Sequence, residues 1–330
     1  MKRIAALIVM ASLAVSSGSW AGSPTSFLSL EAKIPLGQVS GRIDHLAIDL
    51  GRNRLFVAEL GNDSVGVVDL DAGKTERTLT GLREPQGVGY EPTTDTLYVA
   101  NAADGSVRLF QGRDLHPIGR IDLGNDADNV RVDPRGGRIF VGHGKGALAV
   151  IDPLQRTKIS DIALAAHPES FQLDPDNARV FVNVPDAHQV AAVDLSLGRQ
   201  AATWRFPDAR ANFPMALDLE ARQVLVAYRR PARLVAFEMG DGSVKGSLDL
   251  CDDADDLFVD RRRHRLYASC GEGVVDVFER RTDQHVRLGH VPTASGARTS
   301  LFVPELDRLF VAVRATFREP AAIWVFRPLP

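Results

Sequence analysis

The chain has 330 residues, 45% of them hydrophobic, with 39 Lys and Arg against 42 Asp and Glu, for a net charge of −3. Such a balance exerts no net pull on nucleic acid or an anionic membrane surface, so no nucleic-acid partner is expected. The length exceeds that of an average single domain unless the chain is built from repeats.

Lys2 and Arg3 precede an apolar run from Ile4 to Val15, and Ser19-Trp20-Ala21 follows with small residues suited to cleavage. This pattern predicts a secretory signal peptide over residues 1–21, and a run this short does not span a bilayer. No later stretch approaches the ~20 apolar residues of a membrane helix. The expectation is an exported protein, periplasmic or secreted, with no membrane insertion, residues 22–330 forming one monomeric domain.

From residue 43 onward one pattern recurs. Strand-like segments read IDHLAID, PQGVGYE, ADNVRVD, PESFQLD, NFPMALD, ADDLFVD and RTSLFVP, ending at Asp49, Glu91, Asp133, Asp174, Asp218, Asp260 and Pro304, roughly 42 residues apart. Each is followed by a second strand such as RLFVAE or TLYVAN, most by a third such as SVGVVDL, and then by a more polar fourth. Short alternating runs of Val, Leu, Ile and Phe between Gly, Asp and Asn turns are strands. Four strands per unit of this length mark a β-propeller blade, so the predicted fold is all-β, a seven-bladed propeller. The last unit ends after its third strand at Phe326. Residues 27–36, in which Lys33-Ile34-Pro35-Leu36-Gly37 echoes a fourth-strand ending, are expected to close the ring as the outer strand of the last blade.

The second strands, with Leu97-Tyr98-Val99-Ala100-Asn101 as the clearest case, resemble the YVTN repeat of bacterial seven-bladed propellers. Together with GRIDHLAID, DADNVR, HPESF, ARANFPMALD and DADDLF, they make the chain similar to exported YncE-like proteins. The resemblance implies the fold. It leaves activity open, because such propellers include binding modules as well as relatives of lactonases and quinoprotein dehydrogenase subunits.

In a propeller the first strand of each blade lines the central channel, and the residues leading into it lie at the top rim. Five positions before each first-strand end stand Asp44, Gln86, Asp128, Glu169, Phe213, Asp255 and Thr299. One position later stand His45, Gly87, Asn129, Ser170, Pro214, Asp256 and Ser300. The expected site is therefore the channel mouth, with Asp44, Asp128, Glu169 and Asp255 converging from four blades. These carboxylates are candidates to hold a divalent cation such as Ca²⁺ through oxygen ligands. Arg42, Arg210 and Arg298, with Arg229, Arg230 and Arg314 at second-strand ends, would orient an anionic or carbonyl-bearing ligand. Gln86, Asn129, Asn212 and Asp256 complete the candidate binding set. His45, Glu169 and Arg298 are the catalytic candidates, and His167 beside Glu169 forms a second acid–base pair.

Two function classes stay open: binding of a small ligand or an exported protein partner, or metal-assisted, lactonase-like hydrolysis or elimination. The sequence contains no HExxH, GxSxG or EF-hand loop. Gly142-His143-Gly144-Lys145-Gly146 lies between two strands and reads as a hairpin turn. Cys251 precedes the first strand of blade 6 and Cys270 ends its second. Their antiparallel pairing brings both to the top rim, where a disulfide is expected to clamp the aspartate-rich loop between them.

Overall fold

The computed structural model describes residues 27–133, 135 and 137–330. The expected leader, residues 1–21, lies outside the described residues. Seven antiparallel four-stranded sheets succeed one another along the chain as blades 1–7. Their first strands are Leu46–Asp49, Pro85–Glu91, Ala127–Asp133, Phe171–Asp174, Arg210–Asp218, Ala254–Asp260 and Ser300–Val303. Two 3-10 turns, Leu60–Asn62 and Pro185–Ala187, are the only helical pieces among the described residues. None of the described helices is long and apolar enough to cross a membrane.

The N-terminal strand Leu28–Pro35 pairs antiparallel with Ala322–Pro328, so the seventh sheet combines the two ends of the chain. This closes the ring without a free edge at the seam. Leu28 and Ile34 are buried in the seventh sheet, and Ile34 joins Leu55, Val57, Phe310 and Ile323 in the core between blades 7 and 1. The remaining core is likewise divided among blade interfaces. Phe56, Val67 and Val99 fill the gap between blades 1 and 2, and Phe181, Trp204 and Phe237 that between blades 4 and 5.

The acidic residues ending the first strands work at the lower rim. Asp49, Asp174, Asp218 and Asp260 accept backbone N–H groups of the turns that follow them. Arg52 joins Asp49 to Asp95 of blade 2, and Arg263 joins Asp260 to Asp307 of blade 7. These charges tie adjacent blades together from below.

The upper rim is less regular. The first strands of blades 2, 3, 5 and 6 each carry a register shift just before the strand body, at Pro85/Val88, Ala127/Val130, Asn212/Met215 and Ala254/Asp256. In the same four blades the residue seven before the strand end, Glu84, Asp126, Ala211 or Asp253, has a positive φ between 45° and 62°. A bulge breaks the two-residue alternation and re-aims the side chains beside it. Here it occurs where the polar residues face the channel.

Ring closure through the N-terminal strand has a measurable consequence. Ile34→Ala is expected to lower stability by about 2–5 kcal/mol in urea unfolding, the range for truncating a buried Ile. Ile159→Ala, at a half-exposed position, should change it by less than about 0.5 kcal/mol.

Candidate functional site

A cavity of about 240 Å³ sits at the upper mouth of the channel, with a predominantly polar lining. Asp44, Gln86, Asp128, Glu169, Phe213 and Asp255, from six blades, line it at the same repeat position. His45, Asn129 and Ser170 line it from the next position. A second tier, two residues further out, adds Arg42, Asp126 and His167, and Arg229 and Arg298 complete the wall. Three larger cavities, of about 530, 620 and 740 Å³, open at the lower side of the molecule. Leu217, Leu257 and Phe302 stand in the wall of one and Phe140, Val150 and Ile162 in that of another, with charged residues among them.

Five residues expected at the mouth do not line its cavity: Arg210, Asn212, Arg230, Asp256 and Arg314. Arg210 is exposed at the start of its strand, in register with Arg230. Asn212 is fully buried and holds blades 4 and 5 together, its Nδ2 donating to Asn183 Oδ1 (3.0 Å) and to the Gln189 carbonyl (2.9 Å). Asp256 lies buried, its Oδ2 accepting the Ser300 N–H at 2.7 Å and its Oδ1 3.9 Å from His45 Nδ1. The bulge between Ala254 and Asp256 separates Asp255, on the cavity wall, from Asp256.

The aspartates of blade 6 are neutralised from both sides. Arg229 of blade 5 donates to the Ala254 carbonyl at 2.9 Å, pairs with Asp255, and stacks 3.8 Å over the Phe213 ring. Arg298, leading into blade 7, donates to both carboxylate oxygens of Asp253 (2.7 and 2.8 Å) and lies 2.8 Å from Asp255 Oδ2. Blade 6 therefore clamps blades 5 and 7 through charge. The loop carrying Asp253 is fixed in turn by a disulfide between Cys251 and Cys270, both buried. Gly271 donates its N–H to the Asp253 carbonyl at 2.9 Å, and a Cβ there would lie 2.2 Å from Asp253 Oδ2. Only glycine leaves room for that carboxylate.

The opposite wall is balanced differently. His167 Nδ1 donates to the Gly144 carbonyl at 2.6 Å, with Asp126 3.5 Å away and Asp128 3.8 Å from Nε2. Burial opposes the imidazolium, but Asp128, the Gly144 carbonyl and Asp126 push its pKa up to about 9. Glu169 forms no side-chain hydrogen bond or ion pair with any of the described residues. Burial, reinforced by Asp128 and Asp255 and opposed by His167 and Arg229, pushes its pKa up to about 8. At neutral pH it is a carboxylic acid with a proton to donate. Asp44 pairs with Arg42 at 2.7 Å and lies 3.7 Å from His45 Nε2. Burial lifts its pKa to about 6 against those two cations, and lifts that of Asp256 to about 7. His45 is itself held above the usual histidine range, against its burial, by Asp44, Asp256 and Asp128.

The four carboxylates expected as metal-ligand candidates, Asp44, Asp128, Glu169 and Asp255, line one cavity. Among the described residues, no group of three or more His, Cys, Asp or Glu side chains could hold a metal ion. Asp44 and Asp255 are committed to arginines instead. What the mouth presents is a compact set of donors and acceptors: a protonated Glu169, an imidazolium, carboxylates and guanidiniums. The outer tier was readable in the sequence, since Arg42, Asp126, His167 and Asp253 share one repeat position. The signal was a polar residue two places before Asp44, Gln86, Asp128, Glu169 and Asp255.

Solved structures confirm the architecture. The chain matches the structure of hydrazine synthase from Kuenenia stuttgartiensis with a TM-score of 0.74 at 17% identity, covering 88% of this chain and 95% of that one. It matches a chain of the mitotic checkpoint complex with a TM-score of 0.77 at 13% identity, covering 98% of both. At these identities the likeness is one of fold. No protein-family model matches the chain, and no curated protein matches its sequence.

Two measurements test this description. Raised carboxylate and histidine pKa values stabilise the fold at low pH, and that contribution is lost as pH rises through the folded-state values. Tm is therefore expected to fall between about pH 5 and pH 9, and Glu169→Gln should flatten the part of the fall near pH 8. Replacing both cysteines by alanine should cost about 3 kcal/mol in chemical denaturation, the value for a loop of this size. An unchanged midpoint would show that the disulfide does not brace the loop.

Proposed function

We propose that this propeller binds a small polar ligand at its channel mouth. The observation that carries the reading is Glu169: a carboxyl group desolvated beside Asp128 and Asp255, without a hydrogen bond to any of the described residues, facing a cavity lined by charged groups. Buried polar atoms are normally satisfied, yet beside Glu169 the Oδ1 atoms of Asp128 and Asn129 are buried without a hydrogen-bond partner, and such atoms in a concave site are where a ligand gains the most. A volume of about 240 Å³ falls below the range for drug-sized ligands, which favours a compact molecule. The YVTN-like second strands and the leader pattern of residues 1–21 support a bacterial, exported, YncE-like propeller. The disulfide is compatible with an oxidising compartment.

A thermal-shift screen of small polar metabolites tests the reading. A ligand at 100 times its Kd stabilises by about 2.7 kcal/mol, so a bound compound should raise Tm by a few degrees, and Glu169→Gln or Asp128→Asn should reduce the shift. A saturable shift untouched by both substitutions, or stabilisation only by an exported protein partner, would contradict it.

Proton-transfer catalysis is a second reading, favoured by the opposed perturbation of neighbouring groups: Glu169 protonated and His167 charged near neutral pH. Mass spectrometry of each ligand after incubation separates the two. Binding predicts unchanged compound. Catalysis predicts conversion that disappears in Glu169→Gln.

A further inference from the structure

Arg314 follows the strand Arg308–Val313 at the upper rim of blade 7. It is half-buried, and it forms no hydrogen bond or ion pair with any of the described residues. Two of the charges nearest it, Arg42 and Arg298, are of its own sign, and they line the mouth cavity while Arg314 itself does not. Thr299, buried at 2% exposure, holds the group together: its carbonyl accepts the Ala312 N–H at 2.9 Å and its hydroxyl donates to the Ile43 carbonyl at 3.3 Å. Those two bonds bring together Arg298, which precedes Thr299, Arg42, which precedes Ile43, and Arg314, two residues beyond Ala312.

The three guanidiniums are unequally served. Arg298 is neutralised by Asp253 and Asp255, and Arg42 by Asp44, although Arg42 Nε is buried without a hydrogen-bond partner. Nothing comparable serves Arg314. Burial and repulsion from Arg298 and Arg42 depress its pKa, with Asp44 and Asp255 only partly offsetting them. A half-buried cation beside two like charges destabilises the empty protein, and a planar guanidinium is suited to a planar or tetrahedral oxyanion.

We propose that the ligand of the mouth carries an oxyanion, a carboxylate or a phosphate- or sulfate-type group, which docks against Arg314 beside Arg42 and Arg298. The rest of the ligand then extends towards Glu169, Asp128 and His167. This rests on the ligand-binding reading above and narrows it to acidic small molecules with polar groups close to the anion.

The test uses the purified chain and Arg314→Gln, titrated with sodium acetate, phosphate and sulfate against sodium chloride at matched ionic strength. Melting temperature and calorimetric heats are followed together. At least one oxyanion should stabilise the wild type saturably beyond chloride, and Arg314→Gln should bind it at least tenfold more weakly. Without anion, Arg314→Gln should melt no lower than the wild type, because the substitution removes repulsion and no partner. The proposal is overturned if no oxyanion exceeds chloride, if Arg314→Gln binds as well as the wild type, or if Arg314→Gln alone destabilises the empty protein. A neutral or cationic compound whose binding is lost in Glu169→Gln and kept in Arg314→Gln would also overturn it, while leaving the mouth a ligand site.

Discussion

Closing seven sheets into a ring directs the residues leading into each first strand towards one axis, and in this chain several of them are acidic. Asp44, Asp128, Glu169 and Asp255 reach the same small cavity from blades 1, 3, 4 and 6. Like charges brought together out of water must be paired, hydrogen-bonded or protonated. The structure uses a different solution on each side. Blade 6 surrounds Asp253 and Asp255 with Arg229 and Arg298, drawn from the blades on either flank. Blade 4 leaves Glu169 without a cation in contact, and its proton is retained into the neutral range.

This division explains why a sequence can afford four aspartates beside a buried strand. Each charge of Asp252-Asp253-Ala254-Asp255-Asp256 has its own environment: Asp252 is exposed, Asp253 and Asp255 meet arginines, and Asp256 accepts a backbone N–H. Asp255 is largely buried, so losing an arginine there strands its charge, whereas the pairs of Asp253, whose side chain is 42% exposed, are screened by water. The ion pairs of blade 6 are therefore coupled to the seating of blades 5 and 7. The disulfide and Gly271 hold the loop in the one conformation that allows the coupling. The same stiffness keeps the cavity open, since side chains anchored in this way do not collapse into it.

The repeat period and the strand alternation made the fold legible, including the ring-closing role of residues 27–36. The charge of the mouth was legible as well, because one repeat position carries Asp44, Asp128, Glu169 and Asp255. The depth of each side chain was not. Asp255 and Asp256 are consecutive, and alternation alone does not say that a bulge leaves one on the cavity wall and buries the other. Asn212 read as a rim residue because it sits next to Phe213, yet its amide is consumed between blades. The sequence placed both Arg210, at a first-strand entry, and Arg314, at a second-strand end, on the upper rim. Only the packing around Thr299 separates an exposed arginine from one held among like charges.

The account depends on desolvation at the mouth being strong enough to keep one carboxyl group protonated where isolated glutamates are ionised. The direct measurement is the titration of the Glu169 side-chain carboxyl carbon by NMR in the isotope-labelled protein, assigned with Glu169→Gln. A midpoint near 8 is expected, against 4.5 for the unperturbed group. A midpoint close to 4.5 would mean that water or counter-ions screen the mouth freely, and would contradict the convergence of buried charge from which the site is built.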